Sequence, residues 1–342
     1  MDSTAVGGMM RGMTAPLNLL TDIAGVTVGH ATELALGSGV TAILFDRPAV
    51  ASVVIGGGAP GSRDTALLDP AATVEVVDGI VLSGGSTFGL DAGGGVQAAL
   101  REAGRGQVFA GITIPLAPQA ILFDLLNGGN KDWGRFPPYR DLGHAAAMAA
   151  KPGPFALGTV GAGTGATTAT VKGGLGSASA MTESGHIVAA IVAVNAVGSP
   201  LVGEGPHFWA APFERAAEFG GLGAKARCDE SDLALRCKGG RGTATTIGLV
   251  VTDAVLSKAQ AQRLARMADD GLARAIFPAH APNDGDTIFA AATGEKPGAD
   301  VTELGHLAGI VMARAIARGV YEASALPYPG AQPAWRDRFA PG

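Results

Sequence analysis

A chain of 342 residues with 25 basic and 30 acidic side chains carries a formal charge of −5 and has no basic run, which argues against nucleic acid as a partner. Its mean hydropathy of +0.28 is high, yet no stretch reaches the ~18 apolar residues that a membrane span requires. Two cysteines, Cys228 and Cys237, are too few for a disulfide framework, so a reduced, cytoplasmic setting is expected.

In chain order, residues 1–16 carry Asp2 and no apolar h-region, and so read as a loosely held end and not as a secretion signal. Apolar, β-branched runs at 40–45, 53–55, 74–77, 187–194, 247–251 and 288–291 predict strands buried on both faces. A glycine- and alanine-rich helix is expected over 88–103. Ser257-Lys258-Ala259-Gln260 is a capping box, and Leu264, Met267, Ala268 and Leu272 follow it on one helical face. The last helix starts near Asp300 and Glu303, with Leu304, Leu307, Val311, Ala315 and Val320 as its stripe. Between strand and helix regions, residues 220–242 form a charged, glycine-rich connector expected to be exposed and flexible. The proline-bearing tail from Leu326 reads as a second loose end. Buried sheets that need covering helices imply a layered α/β or α+β domain. The 53 glycines form no repeat.

The connector runs into Thr245-Thr246-Ile247, a threonine-led buried strand, and Asp284-Gly285-Asp286-Thr287 opens another. If these strands are sheet neighbours, a hydroxyl and two carboxylates converge, which is the raw material of nucleophilic catalysis. Threonine also has high β propensity, so packing alone explains many such pairs. Gly161-Ala162-Gly163-Thr164-Gly165-Ala166 matches a dinucleotide fingerprint in outline, but the β-branched residues after it predict no helix, and no cofactor is expected. Gly84-Gly85-Ser86 leads from a strand to a helix; its backbone N–H groups suit an anion or oxyanion, with a plain tight turn as the alternative. The six histidines show no metal spacing, and the Asp284/Asp286 pair lacks the further oxygen ligands of a calcium loop. Lys172 among glycines and Asn195 at the end of an apolar strand are the remaining unusual positions.

Several segments, in order, are similar to the autoprocessing L-aminopeptidase/D-esterase family, which includes β-peptidyl aminopeptidases and nylon-oligomer hydrolase. They are residues 20–30, Gly57-Gly58-Ala59-Pro60-Gly61-Ser62-Arg63-Asp64-Thr65, residues 82–90, Val171-Lys172-Gly173-Gly174-Leu175-Gly176, Val194-Asn195-Ala196-Val197-Gly198, Thr245-Thr246-Ile247 and Asp284-Gly285-Asp286-Thr287. The resemblance implies an α+β fold, a four-layer αββα sandwich of the N-terminal-nucleophile type. It implies one self-cleavage, between Ala244 and Thr245, giving fragments 1–244 and 245–342 that together form one domain. Thr245 then matches the nucleophile, Asp284 and Asp286 the paired acids, and Lys172 and Asn195 the other two active-site residues. Ala244 stands where the nylon-hydrolase branch has Asn, and Phe123 falls where some members have Tyr. The freed α-amine would serve as base, being near neutral in its ordinary pKa, and Asn195 with a backbone amide would hold the oxyanion. The resemblance further implies a homo-oligomer, such as a tetramer of processed pairs. The reaction implied is hydrolysis of an amide beside a free amino terminus, or of an amino-acid oligomer. Acyl transfer of the N-acetylornithine type, for which Ala-Thr is the better junction, and a non-catalytic binding or assembly module are the alternatives.

Overall fold

The computed structural model describes residues 15–239 and 244–339. Its strands are β1 (Val26–Glu33), β2 (Ser38–Ile55), β3 (Ser62–Arg63), β4 (Val76–Ser83), β5 (Gln107–Phe109), β6 (Ile112–Ile114), β7 (Gln119–Ile121), β8 (Gly174–Met181), β9 (Ile187–Asn195), β10 (Thr245–Ala254) and β11 (Thr287–Lys296). The helices are α1 (Asp91–Glu102), α2 (Tyr139–Met148), α3 (Lys258–Ala275), α4 (Val301–Tyr321) and α5 (Trp335–Phe339). Among the described residues the main sheet runs β3-β7-β4-β2-β11-β10-β9-β8, with β1 also paired to β2. It is mixed: β10 is parallel to β11 and β4 to β7, while the other neighbours are antiparallel.

Three apolar clusters hold these elements together. Leu264, Ala268 and Leu272 of α3 join Leu304, Ala308, Val311 and Ala315 of α4 and one face of β8–β11, including Val192, Val250 and Ala290. The opposite faces of those strands, with Ile191, Leu249 and Phe289, meet Val28 of β1, Ile43 of β2 and Ile80 of β4. On the far side of the β1, β2 and β4 region, Val40, Ala42 and Val81 pack against Val96 and Leu100 of α1 and Ala146 of α2. The alternation of side chains along each strand is what lets one strand feed two cores.

Two of the expected strands, 40–45 and 53–55, are halves of the single strand β2, which shifts register against β4 between Leu44 and Ala49. The capping box at Ser257 is present, with Ser257 Oγ accepting from the Gln260 N–H and Gln260 Oε1 from the Ser257 N–H. The region around 88–103 splits into a 3₁₀ turn, Ser86–Leu90, and α1. The fingerprint-like glycines enter only the short 3₁₀ turn Gly161–Gly163, with no helix behind it.

The tail corrects the expectation of a loose end. Trp335 is buried, stacks on Phe208 with centroids 5.8 Å apart, and donates from Nε1 to the Pro206 carbonyl. Pro333 O accepts the Lys172 N–H at 2.8 Å, and Gln332 Nε2 donates to Thr168 O. The tail therefore braces the loop that carries Lys172. At the other end, residues 1–14 lie outside the described residues. No helix among the described residues is long and apolar enough to cross a membrane.

Candidate active site

Strand register decides what meets Thr245. Because β10 runs antiparallel to β9, the first residue of β10 faces the last residue of β9, so that Thr245 pairs with Asn195. Because β11 runs parallel to β10, the turn before β11 lies beside the start of β10, and Ala244 bridges Asp284. Thr245 and both aspartates are almost fully buried, at 3%, 1% and 1% exposure. The Ala244–Thr245 peptide is thus enclosed by the ends of two neighbouring strands.

The bonds around that peptide are specific. The Thr245 hydroxyl donates to the Ala244 carbonyl, the oxygen on its own peptide bond. The same carbonyl accepts the Gly285 N–H at 3.0 Å. Asp286 Oδ1 accepts the Thr246 N–H at 2.7 Å, and Oδ2 accepts the His280 N–H at 3.0 Å. Asp284 is different: its Oδ1 takes the Gly285 N–H at 3.2 Å, while its Oδ2 is buried with no hydrogen-bond partner among the described residues. Burial and the neighbouring Asp286 push the Asp284 carboxyl far above the usual carboxylate range. Two acids separated by a single glycine are therefore held in unlike environments.

Asn195 is fixed on three sides. Its Nδ2 donates to Phe123 O at 2.9 Å, and its Oδ1 accepts from the Thr167 N–H and from Lys238 Nζ at 2.7 Å. An amide nitrogen carries two hydrogens, so a second donor remains on Nδ2. Lys172 is buried, and its ammonium donates to the carbonyls of Gly163, Ala166 and Gly173 at 2.7–3.1 Å. Burial lowers its pKa to about 7, with the charge of Asp124 working the other way. Lys172 thus makes its bonds to the 163–173 loop and not to Thr245.

The anion cradle expected at Gly84 and Gly85 is not met. The Gly84 N–H donates to Gly39 O, and the Gly85 N–H donates to the buried carboxylate of Asp124 at 2.8 Å, so both donors are spent inside the fold. Beside Asn195, a cavity of about 440 Å³ is lined by Phe123, Leu126, Asn127, Thr167, Lys238 and Gln332, among others. Phe123 is half-buried and presents no hydroxyl there.

The sequence matches peptidase family S58 over residues 18–331. The chain belongs to that family. It is 40% identical to a protein of Mycobacterium leprae described as an uncharacterized aminopeptidase, over 92% of this chain and 93% of that one. It is 29% identical to a 6-aminohexanoate-oligomer endohydrolase of Kocuria sp., over 85% and 82% of the two chains. Its fold is that of a beta-aminopeptidase of Burkholderia sp., with a TM-score of 0.71, 23% identity and coverage of 95% and 92%. An L-aminopeptidase D-Ala-esterase/amidase of Ochrobactrum anthropi aligns with a TM-score of 0.66 and 21% identity over 93% and 90%. This S58 chain is accordingly a hydrolase acting on amide or peptide bonds.

Within the S58 chain, the glycine segment after β2 has a physical task. The Gly56 and Gly57 N–H groups donate to Asp286 O, and the Ala59 N–H donates to Asp284 O, so this segment cradles the aspartate turn. A Cβ on Gly57 would sit 2.3 Å from Asp284 O and 2.5 Å from Asp286 N. Gly57→Ala is therefore expected to displace the turn and to cost about 1–3 kcal/mol, as overpacking does. Thermal unfolding together with hydrolytic activity would check it; a variant matching wild type in both would contradict the cradle.

Three residues escaped sequence reading. Lys238 belongs to the connector expected to be exposed, yet it folds back to Asn195; burial lowers its pKa to about 8. His280 is one of six scattered histidines, and Asp269 one of two adjacent acids on α3; His280 lies 3.1 Å from Asp286 and 3.5 Å from Asp269. No local pattern marks any of them, because Lys238 is brought to Asn195 by the return of the connector, and His280 and Asp269 by a turn and a helix that meet at the aspartate loop.

Proposed function

We propose that the chain is an autoprocessing amidohydrolase that cuts its own Ala244–Thr245 bond and then uses Thr245 as an N-terminal nucleophile. The observation that carries this reading is the double contact on the Ala244 carbonyl, from the Thr245 hydroxyl and from the Gly285 N–H. In the first step Thr245 Oγ1 attacks the Ala244 carbonyl carbon as its proton leaves, and the negative charge forms on the oxygen already facing Gly285. Collapse breaks the C–N bond, with a proton delivered to the Thr245 nitrogen, and leaves an ester between Ala244 and Thr245. Water hydrolyses that ester to an Ala244 carboxylate and the Thr245 hydroxyl, the α-amine of Thr245 having been freed when the C–N bond broke.

The freed amine then takes the hydroxyl proton in each turnover, and a substrate amide acylates Thr245 with loss of its amine. Water releases the acyl group and restores the hydroxyl. In this scheme the second hydrogen of Asn195 Nδ2 and the Gly285 N–H stabilise the oxyanion. Asp286 fixes the start of β10 through Thr246. Asp284, whose carboxyl stays protonated to unusually high pH, handles a proton beside the new amine. Lys172 keeps the 163–173 loop, and through it Thr167 and Asn195, in register. The same reading takes the three cores as the interiors of a four-layer αββα sandwich, built from fragments 1–244 and 245–342.

Substrates are amides beside an amino-terminal residue or within amino-acid oligomers, entering by the cavity at Phe123 and Lys238. Purified protein should separate into two bands, and Edman sequencing of the smaller should begin Thr-Thr-Ile. A panel of α-aminoacyl, β-aminoacyl and 6-aminohexanoyl amides, run beside N-acetylornithine with glutamate, then reads the acceptor. Acetyl transfer without amide hydrolysis would favour the acyltransferase alternative. An uncut but fully active chain would end the autoprocessing reading.

A further inference from the structure

Behind the Asp284/Asp286 pair lies a second charged cluster that the mechanism above leaves unused. His280 stands in the turn before the aspartates, with a backbone φ of +57° that L side chains rarely adopt. Its N–H and its Nδ1 both face Asp286 Oδ2, at 3.0 and 3.1 Å. On the far edge of the ring, Nε2 lies 3.5 Å from Asp269 Oδ2 on α3. The space for the ring is made by Gly56 at the end of β2, where a Cβ would sit 2.7 Å from Nδ1. Helix, turn and strand end thus converge on one imidazole.

The arrangement treats the two aspartates unequally. Asp286 receives the Thr246 N–H and the His280 N–H and has the imidazole Nδ1 3.1 Å away, whereas Asp284 has one long backbone contact and an Oδ2 with no partner among the described residues. A buried carboxylate needs such partners, and one that lacks them keeps its proton. The charged groups facing His280 are all acids: Asp269 from α3, and Asp284 and Asp286 from its own turn. They hold its pKa above the ordinary histidine value, the hydrogen bond to Asp286 being the largest cause. Among the described residues, Lys238 is the cation from elsewhere that acts on Asp284.

We propose that His280, oriented by Asp269, is a positioning residue that holds Asp286 against the start of β10, so that Asp284 and not Asp286 exchanges the proton. This rests on the nucleophile reading of Thr245. His280 touches neither the Ala244–Thr245 peptide nor the oxyanion donors; it acts through Asp286, the Thr246 N–H and the start of β10. The logic is that of a base held by a third group, extended by one carboxylate.

The test compares wild type, His280→Asn, Asp269→Asn, the double variant and Thr245→Ala, with an aminoacyl p-nitroanilide that wild type hydrolyses. Asparagine tolerates a left-handed backbone, so His280→Asn should fold. Loss of the positive partner makes the acid pair harder to ionise, so the acidic limb of kcat/KM should move up by about one pH unit. At neutral pH kcat should fall about tenfold or more, with KM little changed, because the loss is one of alignment. Asp269→Asn should lower kcat less, and its effect should vanish in the His280→Asn background, since it acts through the ring. An unmoved acidic limb, or an additive Asp269 effect, would overturn the proposal. Should His280→Asn fail to fold, the Asp269→Asn variant still decides by its KM-against-kcat split; an unchanged kcat would count against it. The Thr245→Ala control separates the two failures. Turnover that survives Thr245→Ala sinks the nucleophile reading, whereas Thr245-dependent turnover with an unmoved limb sinks only the role of His280.

Discussion

Thr245→Ala is expected to give a single uncut chain and to lower amide hydrolysis by about 10⁴-fold or more, the scale seen when a covalent nucleophile is removed. Fold stability should hardly change. Among the described residues the hydroxyl bonds to the adjacent carbonyl alone, and a threonine-to-alanine change in a strand is worth at most about 1 kcal/mol. Thr245→Ser keeps the hydroxyl and should still cut. Gel electrophoresis and initial rates distinguish these outcomes. If Thr245→Ala kept normal activity, the nucleophile would have to be sought elsewhere, with Ser86 next in line.

The second large effect has two opposed parts. Asp284→Asn should stop or strongly slow cleavage while making the fold more stable above the ordinary carboxylate range. The wild-type carboxyl titrates near ~3.9 in the unfolded chain and far higher in the folded one, because burial and Asp286 disfavour its charge. Between those values the folded chain holds one more proton, so stability is full at low pH. It falls as pH rises, by up to about 1.4 kcal/mol per unit. Asparagine has no such slope. In a Thr245→Ala background, where neither chain is cut, the melting temperature of Asp284→Asn should draw ahead of its parent from about pH 4 upward. Parallel curves across that range would refute the assignment of a strained, protonated Asp284. A site that costs stability in exchange for reactivity is a common compromise.

The parts of this site that sequence exposes are those where chemistry and strand ends coincide. Thr245, Asn195 and the aspartate turn each sit at the boundary of an apolar β-branched run, and periodicity finds such runs. What periodicity does not reveal is β8. Its sequence, Gly-Leu-Gly-Ser-Ala-Ser-Ala-Met, has no β-branched residue. The reason is close approach: a Cβ on Gly176 would sit 1.8 Å from Ala315 O of α4. Small residues are chosen there for helix contact, against strand propensity. The helix α2 is hidden for a related reason, since Gly143 lies against the Ala92 carbonyl of α1. Tail docking through Trp335, the return of Lys238 and the meeting of Asp269 with His280 are tertiary events without a local signature. Gly84 and Gly85 mislead in the opposite way, since a helix-entry turn rich in free-looking donors has them taken by Gly39 and Asp124.

The order of strands carries a consequence for the history of the molecule. β10 and β11 sit between β9 on one side and β2 on the other, yet they belong to the last 98 residues of the chain. A cut before Thr245 would leave the two products interleaved through the middle of the sheet, sharing the cores that each lacks alone. One covalent chain finds this arrangement as an intramolecular search, whereas two fragments must meet again from solution. The processed protein would then be a structure that remembers a connection it no longer has. Its persistence would be set by the rate of coming apart and not by the ease of reassembly. Refolding after denaturation should succeed for the uncut Thr245→Ala chain and become slow and concentration-dependent for the cut one.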